Sequence, residues 1–264
     1  MPGANGKWAL ITGASSGIGR ALAYAFGARG YNLFLTARNE TLLRQVAGDC
    51  GAKFKVETEV YLADLSGLEA VDGLIGAVAG GHREFEILVN NAGFGLPGEF
   101  RNTAIDSELN MLRVQLAAML KLTKALLPGM LARRSGRILN VASVYSFAPV
   151  PYQSVYAASK AFILSFSAAL AAELKGSGVT LTALCPGLTQ TEFRARAGIA
   201  EKNKAAGATA ESVAEMAVRQ ALKGSLLVVP GLSSRLFVFL ARRLPLVLVV
   251  GLVRLINKGR GVNE

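Results

Sequence analysis

Tyr156 and Lys160 stand four residues apart in Tyr156-Ala157-Ala158-Ser159-Lys160. On a helix that spacing puts both side chains on one face, one turn apart. A free phenol titrates at about 10, too high for proton exchange at neutral pH. A neighbouring ammonium favours the phenolate, so Lys160 is expected to bring Tyr156 toward the range of a general acid/base. Such pairs are common by chance, and this one gains meaning from a second motif. A short apolar run leads into Thr12-Gly13-Ala14-Ser15-Ser16-Gly17-Ile18-Gly19, and a helical pattern follows. Glycines allow a sharp turn and a close approach of pyrophosphate to the backbone. The helix N-terminus adds N–H groups and a positive dipole end. In this strand-turn-helix setting Gly13, Ser15, Ser16, Gly17, Ile18 and Gly19 are expected to bind a dinucleotide. The second apolar run ends Leu35-Thr36-Ala37-Arg38-Asn39. A carboxylate there would bind a ribose 2′-hydroxyl and select NAD. None is present, and Arg38 offers a guanidinium to a 2′-phosphate. The expected cofactor is NADP(H). The plainer reading of Arg38 is a cation on a solvated loop.

The glycine spacing is G-x-x-x-G-x-G after a threonine, and here the chain resembles the short-chain dehydrogenase/reductase family, over about residues 7–193. Ser143 closes Asn140-Val141-Ala142-Ser143, thirteen residues before Tyr156, which is the family's spacing. The resemblance implies that Ser143 holds the substrate oxygen and that Tyr156 exchanges a proton with it. It also implies that Lys160 lowers the tyrosine pKa and binds the nicotinamide ribose. It places Asp64, with Leu65, beside the adenine, although Asp64 also suits a helix N-cap. It has Asn91, Ala92 and Gly93 lining the cofactor, and Pro186, Gly187, Thr189 and Thr191 running along the nicotinamide. One position departs. The family usually carries an asparagine in its long central helix, supporting a water chain to the lysine. This chain reads Val114-Gln115-Leu116. Gln115 keeps the amide and adds a methylene, so it is a candidate member whose length would shift the water or the helix backbone. A narrower similarity to hydroxysteroid dehydrogenases and ketoacyl reductases, around Leu126-Leu127-Pro128-Gly129-Met130, fixes no substrate.

These residues need a scaffold that brings strand ends together. Short apolar runs at 8–12, 32–36, 54–61, 87–90, 137–142, 180–185 and 225–229 read as strands. Longer amphipathic stretches at 16–29, 40–50, 68–80, 106–132, 154–175 and 210–223 read as helices. The alternation predicts an α/β Rossmann-type, doubly wound parallel sheet of about seven strands with helices on both faces. Residues 187–209 show no period and read as a loop at the carboxyl end of the sheet, where ligands bind in such folds. Residues 1–231 read as one dinucleotide-binding and catalytic domain, and 232–264 as an apolar, basic C-terminal extension. Phe94, Phe147, Val150, Tyr152, Leu188 and Phe193 follow strand ends or neighbour the catalytic residues. They are expected to wall a site for a small hydrophobic carbonyl or alcohol.

The 264 residues suit one large core. The formal net charge is +11, but the basic residues are scattered and no nucleic-acid-binding motif occurs, so nucleic acid is not an expected partner. Cys50 and Cys185 lack disulfide or metal spacing and read as buried thiols; no metal site is expected. His82, the single histidine, sits by glycines in a loop reading, which leaves little room for a Ser-His-Asp hydrolase. No signal peptide is evident, and no run reaches the roughly 18 apolar residues of a transmembrane helix. A cytoplasmic location is expected, with or without membrane-surface contact. Residues 232–264 carry six basic side chains and one acidic one around an uncharged apolar stretch, 244–253. Such a segment suits packing in a homodimer or homotetramer, covering the substrate mouth, lying on an anionic membrane, or disorder. The function read here is NADPH-dependent hydride transfer to or from a carbonyl/alcohol carbon. The alternative is a non-catalytic NADP-binding regulatory or scaffold protein, which would not need Ser143, Tyr156 and Lys160 together.

Overall fold

In the computed structural model of this protein, the structure describes residues 6–193 and 207–259. Seven strands form one sheet in the order β3-β2-β1-β4-β5-β6-β9, every pair parallel. They are β1 (Lys7–Thr12), β2 (Asn32–Ala37), β3 (Thr58–Leu62), β4 (Glu84–Asn90), β5 (Gly136–Val141), β6 (Val179–Leu184) and β9 (Leu227–Val228). The central strands are apolar on both faces, as a doubly covered parallel sheet requires. Helices α1 (Gly17–Gly27), α2 (Glu40–Phe54) and α7 (Ala210–Leu222) share one apolar core with one face of the sheet. Helices α3 (Leu68–Ala79) and α5 (Ala118–Ala132) pack on the other. Helix α6 (Ser154–Glu173) lies on that second side through Ile163, Leu170 and Ala171. This is the Rossmann arrangement, with the strand order reversing between β1 and β4.

Three boundaries differ from the sequence expectation. The run at 54–61 is not all strand. Phe54 ends α2, packs edge-on against Tyr24 and lies over Gly27; Lys55 then takes a left-handed conformation (φ 58°) that stops the helix. The stretch read as one helix over 106–132 is α4 (Ile105–Leu112), a π-helical turn (Arg113–Ala117) and α5, contiguous in sequence with the wider π turn around Gln115. Residues 187–209 include two short paired strands, β7 (Thr189–Gln190) and β8 (Ala208–Thr209); residues 194–206 lie outside the described residues.

Two helices do reach a membrane-spanning length and composition, contrary to the run-length reading: 105–132, with mean hydropathy 1.2, and 154–173, with 1.5. Both pack on the sheet through part of their surface, and the second carries Tyr156 and Lys160, while Leu131 and Phe162 stay exposed. Cys50 and Cys185 are buried and unpaired, and His82 sits in the exposed turn before β4. Beyond β9 the chain forms two helices, α8 (Leu232–Arg243) and α9 (Leu246–Gly259), that pack back over the carboxyl end of the sheet.

Candidate active site

The carboxyl ends of β1, β2, β4, β5 and β6 open on one cavity of about 860 Å³. Its first end is the turn after β1. Gly13 and Gly17 have positive φ (66° and 54°), and a Cβ on Gly19 would lie 2.1 Å from the Gly13 carbonyl oxygen. Only glycine lets helix α1 begin this close to the strand, and the space so kept faces the cavity. Thr12 and Asn91 lock the turn to β4. The Thr12 hydroxyl donates to the Val89 carbonyl and accepts from the N–H groups of Asn91 and Ala92; the Asn91 amide donates to the Thr12 carbonyl at 2.8 Å. Beneath it, buried Asn90 donates to Asn140, which donates to Ser167, tying β4, β5 and α6. At the far corner Arg38 approaches Asp64 at 3.7 Å, both exposed. Asp64 does not cap α3, whose N-cap is Gly67. Its carboxylate accepts from the Ser66 N–H, and that bond, aided by Arg38, holds it below the usual carboxylate range.

At the other end sit Ser143, Tyr156 and Lys160. Ser143 follows β5 and starts a short turn, Val144–Phe147. Its hydroxyl oxygen accepts the Tyr145 N–H at 3.2 Å, which leaves its proton to donate elsewhere. Ser146 donates to the Lys160 carbonyl at 2.7 Å and so pins this turn to α6. Tyr156 is buried; burial raises its pKa, and a hydrogen bond from Ser143 opposes the rise. Lys160 is also buried, and burial lowers its pKa to about 8. Its ammonium donates to the Val141 carbonyl at 3.0 Å and lies 5.6 Å from the centre of the Tyr156 ring. The expected lowering of the phenol by Lys160 is not seen: desolvation of the phenolate raises it, and the group that opposes the rise is Ser143.

All the residues expected to bind the cofactor line this one cavity: Gly13, Ser15, Ser16, Gly17, Ile18, Gly19, Arg38, Asp64, Leu65, Asn91, Ala92, Gly93, Tyr156, Lys160, Pro186, Gly187, Thr189 and Thr191. The glycine cradle, the α1 N-terminus and the Arg38 corner fit a phosphorylated dinucleotide. Of the expected substrate wall, Ser143, Phe94, Leu188 and Phe193 line the cavity, with the Phe193 ring 6.0 Å from that of Tyr156. Phe147, Val150 and Tyr152 do not. Phe147 packs under the site against Met119, Ala142, Ile163 and Cys185. Val150 packs with Val249 and Val253, and Tyr152, at φ 67°, serves the backbone by accepting the Gly98 N–H. Gln115 is buried behind the cavity wall rather than in it. Its amide nitrogen donates to the Phe94 carbonyl at 2.7 Å, and its amide oxygen accepts from Ser159 at 3.1 Å. It bridges α6 to the loop after β4, and both it and the Lys160 ammonium border the space that a Cβ on Gly93 would fill.

Sequence reasoning missed Val144, Tyr145, Gln153, Ser234, Phe237, Val253 and Asn257, which also line the cavity. Tyr145 and Gln153 flank named motifs and were within reach. The last four come from α8 and α9, where no local signal points to a site almost a hundred residues earlier.

A model of the short chain dehydrogenase family matches residues 7–202. The chain belongs to the short-chain dehydrogenase family. The family is one of nicotinamide-dependent oxidoreductases. Among relatives, a dehydrogenase/reductase SDR family protein 7-like of Anopheles gambiae is 38% identical over 71% of this chain and 60% of its own length. A very-long-chain 3-oxoacyl-CoA reductase-B of Danio rerio is 36% identical over 71% of this chain and 61% of its own length. The chain thus spans about three fifths of these relatives. A solved short-chain dehydrogenase from Sphingobium yanoikuyae in complex with NADPH superposes with a TM-score of 0.81. It is 31% identical, covering 87% of this chain and 91% of that one.

Proposed function

We propose that this short-chain dehydrogenase transfers a hydride between NADP(H) and the carbonyl/alcohol carbon of a hydrophobic substrate. The observation that carries the reading is the convergence of Ser143, Tyr156 and Lys160 on the cavity that also holds the glycine turn. Gly13 to Gly19 and the α1 N-terminus would hold the pyrophosphate, and Arg38 the 2′-phosphate. When bound, the nicotinamide supplies or accepts the hydride. The residues of the chain do the rest. Ser143 donates a hydrogen bond to the substrate oxygen. Tyr156, kept protonated by burial, delivers its proton to that oxygen as negative charge develops. Lys160, cationic at neutral pH, stabilises the phenolate left behind. Gln115 and Ser159 hold the Phe94 loop against α6, so the pocket wall keeps its place relative to Tyr156.

The preference for NADP(H) rests on Arg38 and on the missing acid at the end of β2. The Asp64 contact is long and exposed, and such pairs are worth little, so a phosphate can take over the guanidinium. A hydrophobic substrate is supported by Phe94, Leu188, Phe193, Phe237 and Val253 in the wall, and by the long-chain acyl substrate in the name of the Danio relative. The test is Tyr156→Phe. This variant is expected to bind NADPH normally by nicotinamide fluorescence and to lose turnover of a hydrophobic ketone by about 10²–10⁴-fold. Turnover near the wild-type rate would overturn the assignment.

A further inference from the structure

Helices α8 and α9 each carry two apolar stripes. On α8, Phe237, Val238 and Ala241 turn inward, and Phe237 and Ser234 line the active-site cavity. Helical spacing puts Leu232, Leu236, Phe239 and Leu240 on the opposite side, and all four are exposed. On α9, Val249 and Val253 are buried, while Leu248, Leu252 and Leu255 form an exposed stripe. Of twenty large apolar side chains exposed among the described residues, ten fall between 232 and 255. Core packing does not explain that density, and singly scattered apolar residues would not cluster so.

Charge narrows what covers this face. Residues 232–259 contain Arg235, Arg242, Arg243, Arg254 and Lys258 and no acidic residue. Arg235, Arg242, Arg243 and Arg254 are exposed beside the apolar stripes, and Arg243 lies over the Phe239 ring. A second copy meeting this face through a two-fold axis would set arginine against arginine. An anionic lipid surface is complementary to both features. The helices are also too short to cross. Fourteen residues reach about 21 Å, against a hydrocarbon core of about 30 Å.

We infer that α8 and α9 dock flat on an anionic bilayer, with their outer leucines in the interface and their inner faces roofing the active site. The roof of the cavity is then the element that touches lipid. The substrate class follows: a carbonyl or alcohol on an acyl or polycyclic body that partitions into the bilayer and reaches Tyr156 from beneath α8. That last step rests on the function proposed above; the docking does not.

The experiment is flotation of the purified protein with vesicles of equal parts phosphatidylglycerol and phosphatidylcholine, beside phosphatidylcholine alone. The protein is expected to float with the anionic vesicles, about tenfold more weakly with the neutral ones, and to be released by high salt. The double variant Leu236→Glu, Leu248→Glu should lose about tenfold in vesicle binding and keep its NADPH titration. Flotation is read without turnover, and Tyr156→Phe should float like the wild type, so failure of the catalytic reading stays separate. No flotation, equal binding to both vesicle types, or undiminished binding by the double variant would overturn the inference. So would a wild type that stays off vesicles while the double variant changes oligomeric state in light scattering, which would make the face a contact between copies.

Discussion

Lys160 shows what burial does to a cation at this site. Taking the ammonium out of water lowers its pKa to about 8, so it is mostly charged at neutral pH and loses its charge just above. On the proposed mechanism this charge stabilises the Tyr156 phenolate, so reductase kcat/KM should fall as pH rises through about 8. Lys160→Arg should move that break upward, since a guanidinium keeps its proton. A pH profile flat to 10 in the wild type would contradict this role. Arg38 acts at the other end of the cavity. If Arg38 holds the 2′-phosphate as proposed, Arg38→Asp removes a charge-assisted hydrogen bond and adds repulsion. NADPH affinity should fall about tenfold to a hundredfold with NADH little changed, read by fluorescence titration.

At the scale of elements, the turn from β1 into α1 has the least tolerance. A Cβ on Gly19 would overlap the Gly13 carbonyl and the Asn91 amide, both backbone-bound and unable to yield. Gly19→Ala should therefore cost about 1–3 kcal/mol of stability and weaken NADPH binding together, by thermal melts with and without cofactor. A variant that melts and binds like the wild type would show that the turn has slack. The π-helical turn matters in another way. It presents Gln115 between the Phe94 carbonyl and Ser159, a link between two elements that spacing along the chain does not reveal.

The whole molecule carries several neutral groups that resist ionisation. Burial first, then nearby carboxylates, raises Tyr24 and Tyr31 from 10 to about 12. Burial raises Cys50 from 9 to about 11 and Cys185 from 9 to about 12. A raised folded pKa contributes stability that is whole below the unfolded value and is lost as pH climbs toward the folded one. These losses begin above pH 9. Lys160 works oppositely: its lowered pKa is a cost present below about 8 and relieved by 10.5. The melting temperature should change little from pH 8 to 9 and fall steeply beyond about 10.5. Differential scanning fluorimetry across that range checks it; a rising melting temperature at pH 11 would contradict it.

Sequence by itself determined the α/β order and the glycine turn, and through family resemblance it named Ser143, Tyr156 and Lys160, which the fold brings to one cavity. Strand and helix periods are local, and Gly13, Gly17 and Gly19 answer a backbone demand made within a few residues. It also placed Arg38 and Asp64 at strand ends, where this fold opens. Only the tertiary structure decided which way neighbouring aromatics point: Phe193 into the cavity, Phe147 into the packing below. Only it showed that Gln115, a candidate in a proton relay, also bridges the Phe94 carbonyl and Ser159, partners distant in sequence. The extension after residue 231 was least legible. Its helices are apolar on both sides, so periodicity could not say which stripe faces inward; the contacts of Phe237, Val249 and Val253 with the body of the protein did.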